Sequence, residues 1–283
     1  MQTPFQHIAD TAFWVAGFRA QETKRPDAVY KDPLAEKLAG ERGKQMVDDT
    51  PNAALMSFSI AIRTTAIDRL IDIAIADGID TVINLGAGLD TRPYRMQLPI
   101  GLNWIEVDYD HVVDYKNTVL ADESPACNLR RIAADLSADA ERKELFTELG
   151  SQVDSALIIT EGVITYLQNE QAAQLSQDIF SIPTFQFWIQ EYLNGGYRSN
   201  GLPKKGKKLL KNTPFRFTVA DPISFFKKDG WRVKENIYML DEGDRIGRKM
   251  PFGFPWNILI HLFPQKIREG ANKKFGILMF GKT

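Results

Sequence analysis

The stretch TVINLGAGLDTRPYRMQLPIGLNWIEVDYD, residues 81–110, decides the fold. It opens with a short apolar run at Val82–Ile83, which predicts a buried parallel strand. The segment Gly86-Ala87-Gly88 follows, and its glycines allow the backbone to turn sharply and to approach a ligand without a Cβ in the way. A second strand is predicted at Trp104–Val107, and Asp108 comes directly after it. The stretch therefore predicts the first strand, loop, helix and second strand of a nucleotide-binding α/β fold.

The acid that ends the second strand indicates what this loop would hold. Asp108 lies twenty positions after Gly88, the distance at which a strand-end carboxylate meets a ribose hydroxyl pair in doubly wound nucleotide folds. Thr91 stands where the dinucleotide fingerprint has its third glycine, which disfavours NAD and FAD. A cofactor with a ribose but no pyrophosphate fits better, and S-adenosylmethionine is the obvious candidate. Gly-x-Gly alone is a weak signal, so an ordinary strand–turn–helix joint remains an alternative reading.

A longer motif around the loop is far more specific than Gly-x-Gly. Residues 84–95, NLGAGLDTRPYR, followed by Glu106-Val107-Asp108, resemble the signature of the leucine carboxyl methyltransferase family. That family groups eukaryotic enzymes that methylate a protein C-terminal carboxylate with bacterial relatives linked to polyketide-type small molecules. The resemblance implies S-adenosylmethionine as cofactor and residues 86–88 with Asp108 as part of its site.

Three further segments extend the resemblance. Arg63 lies in a segment similar to the family's R-T-x-x-x-D, which implies pairing with the cofactor's methionyl carboxylate, although a lone helix arginine is usually a solvated residue. Asp135 and Leu136 match its A-D-L segment, which implies that the carboxylate accepts from the adenine amino group while Leu136 flanks the ring. Glu161 begins a segment similar to A-E-G-x-x-x-Y-L, with Thr160 in place of the usual alanine. Glu161 is expected at the carboxyl end of the sheet, where such folds bind ligands.

Composition excludes several other classes of protein. The formal net charge is −1, so no overall field favours nucleic acid or a membrane surface as a partner. Cys127 is the single cysteine, which rules out an intramolecular disulfide and a cysteine-rich metal site, and no metal is expected. No apolar run approaches the roughly 20 residues of a membrane span, and the run at 13–18 is too short for a signal peptide. The expected location is the cytoplasm.

The order of predicted elements defines the fold. We expect one domain over residues 1–283: an α/β, doubly wound, Rossmann-like sheet of seven strands, mostly parallel, with the last strand antiparallel. Residues 1–50 are expected to form a helical N-terminal cap and residues 53–192 the cofactor-binding core, with the fifth strand at Phe185–Ile189. Residues 193–283 would form a C-terminal insertion, a lid or substrate region with the closing strands.

Two segments of that last region stand out by composition. Residues 194–213 are rich in lysine and glycine, which is typical of a solvated connection, or of a lid that meets an acidic substrate. Residues 251–264 are rich in aromatic residues and proline, which predicts packing over the sheet or, as an alternative, part of a substrate pocket.

The expected activity is methyl transfer to oxygen. The acceptor would be a carboxylate or hydroxyl of a small, polyketide-like molecule, or a C-terminal carboxylate. The three histidines, at positions 7, 111 and 261, are scattered, so no convincing general base and no catalytic residue is identified. That mildly favours a carboxylate, which is already ionised at neutral pH. The alternatives are an NAD-dependent oxidoreductase and a non-catalytic S-adenosylmethionine-binding protein. The sequence does not predict the oligomeric state.

Overall fold

The first strand of the motif lies in the middle of a large sheet. The computed structural model describes residues 9–193, 214–251 and 275–282. All five residues of Thr81–Leu85 are buried, as expected for a strand covered on both faces. The strands are β1 (Thr81–Leu85), β2 (Asn103–Asp108), β3 (Asn128–Ala133), β4 (Ala156–Thr160), β5 (Phe185–Leu193), β6 (Arg232–Tyr238) and β7 (Phe275–Gly281). Their order across the sheet is β3-β2-β1-β4-β5-β7-β6.

The direction of the strands confirms the predicted fold class. β1 to β5 pair in parallel, and β7 is antiparallel to both of its neighbours, β5 and β6. The chain moves outward from β1 to β3 and then returns to place β4 on the other side of β1. Open α/β sheets bind ligands at such a reversal, beyond the carboxyl ends of the strands. The loops after β1 and β4 are therefore brought to one place.

Helices cover both faces of this sheet. They are α1 (Asp10–Lys24), α2 (Ala35–Asp48), α3 (Ala53–Ala76), α4 (Arg92–Arg95), α5 (Asp110–Val119), α6 (Asp139–Gln152), α7 (Asn169–Ser181), α8 (Pro222–Lys227) and α9 (Met239–Arg245), with a 3-10 turn at Ile164–Tyr166. Apolar residues of α3, such as Leu70 and Ile71, pack on one face with Val82. Residues of α6 and α7, such as Phe146 and Leu175, pack on the other. Each face of the sheet thus has its own apolar core.

The first two helices pack closely together over the carboxyl edge of the sheet. A Cβ added to Gly17 would lie 2.7 Å from the carbonyl oxygen of Gly43, so small residues are needed where α1 and α2 cross. Trp14 and Phe18 of α1 share a buried cluster with Ile60 of α3. The described helices include none that is both long and apolar enough to cross a bilayer. The division of the chain into cap, core and C-terminal region stays a prediction, as does its cytoplasmic location.

The fifth strand is longer than predicted. It does not end at Ile189 but continues to Leu193, because β7 pairs with it from Phe187 onward. This long-range pairing places Glu191 within the sheet. The lysine-rich segment 194–213 and residues 252–264 of the aromatic segment lie outside the described residues.

Candidate functional site

A cavity of about 900 Å³ lies beyond the carboxyl ends of β1 and β4. Its walls come from the loops after these strands and after β2, together with α1 and α3. The volume falls in the range of roughly 300–1,000 Å³ that small-molecule sites occupy. Of the residues predicted from the sequence to bind a cofactor, those that line it are Arg63, Gly86, Ala87, Gly88, Asp108, Leu136 and Glu161. One cavity therefore brings together seven predicted positions that lie between Arg63 and Glu161 in the chain.

The loop after β1 needs its two glycines. Gly86 and Gly88 have φ values of 67° and 50°, in the left-handed region that favours glycine. A Cβ on Gly86 would lie 2.6 Å from Cγ2 of Val163, and one on Gly88 would lie 3.1 Å from Cβ of Ala12. Thr91 precedes α4, but its side chain makes no capping bond; the carboxylate of Asp90 accepts from the Arg92 N–H instead.

Asp108 is fixed at the end of β2 by backbone groups. Its Oδ2 accepts from the N–H of Gly88 at 2.6 Å, and its Oδ1 accepts from the N–H of Tyr109 at 2.7 Å. Burial raises the pKa of this carboxyl, and the two backbone bonds only partly oppose that effect. The carboxylate is thus tied to the glycine loop, with its oxygens at the cavity wall.

Arg63 lies between two carboxylates. Its Nε is 2.8 Å from Oε1 of Glu161, and its Nη1 donates to Oε2 of Glu191 at 3.1 Å. Burial acts to lower the pKa of this guanidinium, but Glu191 and Glu161 outweigh burial and raise it above its usual value. The sequence predicted Arg63 and Glu161 as cofactor-binding residues, but it did not predict that they pair with each other. Glu191, which also lines the cavity, was not among the residues predicted to bind the cofactor.

The ion pairs continue into the wall of the cavity through Arg92. Its Nη1 donates to Oε2 of Glu161 and to Oδ2 of Asp90, both at 2.8 Å, and its Nε donates to Oδ1 of Asp68 at 2.7 Å. Burial acts to raise the pKa of Glu161, but Arg92 and Arg63 outweigh burial, so the pKa lies below its usual value. Asp90 and Arg92 belong to the GLDTR segment of the motif, so the sequence contained this signal although it assigned them no role.

Asp135 is the predicted site residue that does not line the cavity among the described residues. Its Oδ1 accepts from the N–H and the hydroxyl of Ser137, at 2.9 and 2.7 Å, in a local turn. Leu136 does line the cavity, and its carbonyl oxygen accepts from Nη1 of Arg142 at 2.8 Å. A contact between Asp135 and an adenine therefore stays a prediction from the family resemblance.

Apolar and aromatic side chains form another part of the wall. The hydroxyl of Tyr166 shares a hydrogen bond with Thr11, near the start of α1, and burial raises the pKa of this tyrosine to about 12. The ring of Phe215 lies 5.8 Å from that of Tyr166. Leu55 and Met56 of α3 also line the cavity. The space beside the charged wall can therefore receive an organic molecule with an apolar body.

Comparison with known proteins shows which family this chain is similar to. The sequence profile of the family described as leucine carboxyl methyltransferase matches residues 12–180. A candidate S-adenosyl-L-methionine-dependent methyltransferase of Mycobacterium marinum is 33% identical over 262 residues, which cover 83% of this chain and 86% of that protein. A second candidate S-adenosyl-L-methionine-dependent methyltransferase, from Streptomyces coelicolor, is 35% identical over 175 residues, which cover 58% of this chain and 61% of that protein. The matched part of this chain thus spans about 61% of the length of that Streptomyces protein.

Solved structures support the fold. A candidate methyltransferase from Thermobifida fusca superposes with a TM-score of 0.55 at 15% identity, covering 95% of this chain and 93% of that one. A DUF574 family protein from Streptomyces avermitilis gives a TM-score of 0.54 at 14% identity, covering 95% and 97%. At such low identity these likenesses concern the fold alone.

Proposed function

Because the chain belongs to the leucine carboxyl methyltransferase family, we propose that it is an S-adenosylmethionine-dependent O-methyltransferase. We further propose that its acceptor is the carboxylate of a small organic molecule. The main support for this proposal is that the glycine loop, Asp108 and the Arg63–Glu161 pair all line one cavity, which also has an apolar wall.

The residues present fit this cofactor. Gly86 and Gly88 allow the loop its left-handed turns beside Val163 and Ala12, so that the loop lines the cavity and can approach a ligand. Asp108 offers carboxylate oxygens to a ribose hydroxyl pair, and Leu136 an apolar surface to an adenine. Arg63 lines the cavity, and a guanidinium has five N–H donors through which it can bind a ligand carboxylate. When bound, S-adenosylmethionine supplies a methyl group on a positively charged sulfur, which a nucleophilic oxygen can accept.

The protein's main task in such a transfer is to position the acceptor and to exclude water. The described lining residues include no histidine. Glu161 is held by two arginines and its pKa is lowered, which makes it a weak base. Burial raises the pKa of Tyr166 and of Tyr192 to about 12, so both stay protonated at neutral pH. Because none of these groups is a good base at neutral pH, the best acceptor is one that is already ionised, such as a carboxylate.

The first test is binding. Isothermal titration with S-adenosylmethionine, S-adenosylhomocysteine and NAD should show binding of the first two and not of NAD. Binding of NAD alone would contradict the proposed cofactor and favour the oxidoreductase alternative.

The second test is the acceptor. We would compare aromatic and aliphatic carboxylic acids with the primary alcohols of the same skeletons, and peptides with free and amidated C-termini, by following S-adenosylhomocysteine release. We expect turnover of small acids and none of the matched alcohols. Turnover of alcohols or phenols in preference to acids would overturn the carboxylate assignment, and preference for a free peptide C-terminus would overturn the small-molecule assignment. Cofactor binding without turnover of any acceptor class would favour the non-catalytic alternative.

A further inference from the structure

Asn84 lines the cavity and holds a buried hydrogen-bond acceptor. It is the fourth residue of β1, its residue is 2% exposed, and it lines the cavity beside Gly86. Its Nδ2 donates to Oδ2 of Asp90 at 2.9 Å. Its Oδ1 has no hydrogen-bond donor among the residues that the structure describes. A buried acceptor without a donor destabilises a protein, so a donor is expected when the site is in use.

The orientation of this amide is fixed by its neighbour. Asp90 accepts from the N–H and from Nη1 of Arg92, at 3.0 and 2.8 Å, and Nη1 of Arg19 lies 3.7 Å away. Burial acts to raise the pKa of Asp90, but Arg92 and Arg19 outweigh it and hold the pKa well below its usual range. An ionised carboxylate can only accept, so the NH₂ group of Asn84 must face it. The oxygen of Asn84 is therefore the atom left for a ligand.

The position of Asn84 indicates which ligand donor it meets. Of the residues in the described ranges that have a buried side-chain oxygen without a partner, Asn84 is the one that lines the cavity. A chain of contacts leads from Asn84 to Asp90, then to Arg92, Glu161 and Arg63. This chain of contacts ends at Arg63, which is proposed to bind the methionyl carboxylate. A charged N–H donor bonds more strongly to such an oxygen than a neutral one.

We propose that Oδ1 of Asn84 is a further cofactor-binding group, which accepts an N–H from the α-ammonium of the methionyl part. In this arrangement Asp90 is a positioning residue, because it binds the NH₂ group of the amide and leaves the oxygen for the ligand. The inference rests on the proposed function, and it names a contact that the sequence motifs did not assign.

The test compares two ligands that differ by one amino group. Wild-type protein and Asn84→Ala are titrated with S-adenosylhomocysteine and with its analogue that lacks the α-amino group. We expect the substitution to weaken S-adenosylhomocysteine binding by roughly tenfold or more, the effect of losing a hydrogen bond to a charged group. Binding of the analogue should change less than about twofold. Asn128→Ala, at the exposed start of β3 and away from the cavity, is the matched control and should change neither affinity.

The outcomes separate this inference from the proposed function. Equal losses for both ligands in Asn84→Ala would overturn the contact while leaving the cofactor in place. Binding of neither ligand to wild-type protein would overturn the proposed function, and the role of Asn84 with it. Should Asn84→Ala not fold, a structure of wild-type protein with S-adenosylhomocysteine decides. A distance of about 2.7–3.2 Å from Oδ1 to the α-nitrogen supports the contact, and a distance beyond about 4 Å without a bridging water overturns it.

Discussion

The cavity has two ends that are built from different interactions. At the glycine-loop end, defined by Gly86, Gly88 and Asp108, a carboxylate is held by backbone N–H groups. At the arginine end, defined by Arg63, Arg92, Glu161 and Glu191, side chains from separate elements hold one another by ion pairs. Burial raises the pKa of Asp108, whereas two arginines lower that of Glu161. One end therefore depends on local backbone geometry and the other on long-range charge pairing.

The arginine end should contribute more to stability. Arg92 is the test, because its side chain is 3% exposed and pairs with Asp68, Asp90 and Glu161. Replacing it leaves one buried and two partly buried carboxylates without that partner, and breaking one buried pair already destabilises by about 3–5 kcal/mol. We expect Arg92→Met to lower the free energy of unfolding by at least that amount in urea titrations.

A surface ion pair provides the control for this variant. Lys24 and Glu36 form a pair in which both side chains are more than half exposed. Lys24→Met should therefore change the free energy of unfolding by about 0–1 kcal/mol. A loss of stability in Arg92→Met no larger than that in the control would show that the arginine end is not a stabilising network.

The glycine-loop end should matter more for binding than for folding. We expect Asp108→Ala to weaken S-adenosylmethionine binding by at least roughly a hundredfold, or about 2.7 kcal/mol, because the ribose hydroxyl pair loses its acceptor. The fold should be retained, since burial already disfavours this charge. Calorimetric titration measures the first effect and thermal unfolding the second. Asp114→Ala, an exposed position on α5, is the control. Unchanged affinity in Asp108→Ala would place the ribose elsewhere.

The contrast between local backbone geometry and long-range charge pairing also explains which parts of the site could be predicted from the sequence. Gly88 and Asp108 are twenty residues apart, joined by a strand–loop–helix–strand unit whose geometry is common to many proteins. Hydrophobic runs and turn residues within that unit predicted β1, β2 and the loop. The fold class followed, because parallel strands joined by helices leave few alternative arrangements.

The arginine end could be predicted only in part. Arg63 and Glu161 were found by resemblance to the family, yet Arg63 also contacts Glu191, which is 128 residues away. Glu191 reaches that position because β5 is extended by pairing with β7, near the other end of the chain. No local pattern in the sequence indicates such a pairing. The contact between Asn84 and Asp90 is short-range, but it depends on the charge that Arg92 supplies to the same carboxylate.

Arg63 is expected to affect both stability and cofactor binding, because it is part of the ion-pair network and is proposed to bind the cofactor. We expect Arg63→Ala to weaken S-adenosylmethionine binding by about 2 kcal/mol, through loss of a charge-assisted pair. Arg69→Ala is the matched control, since Arg69 lies on the same helix, pairs with Glu242 and is absent from the described cavity lining. An equal loss of affinity in both variants would indicate a general effect on α3 instead of a contact with the ligand.

The smallest expected effect concerns the dependence of stability on pH. As pH rises in the acid range, the contribution of Glu161 to stability should increase and that of Asp108 should decrease. The folded-state pKa of Glu161 is lowered, so its contribution is present above the unfolded value of about 4.3 and is lost as pH falls through the folded value. The folded-state pKa of Asp108 is raised, so its contribution to stability falls as pH rises from about 3.9 through the raised value.

In Glu161→Gln the free energy of unfolding should therefore decrease less as pH falls from about 5 to about 3. The reason is that the substitution removes a group that releases its proton on folding. Asp108→Ala should make stability rise more steeply with pH in the acid range, because it removes a group that takes up a proton on folding. Urea titrations of wild-type protein and both variants at several acid pH values measure the two slopes. Slopes that change in the same direction would contradict the difference between the two ends, since backbone bonds and ion pairs would then act on these carboxyl groups alike.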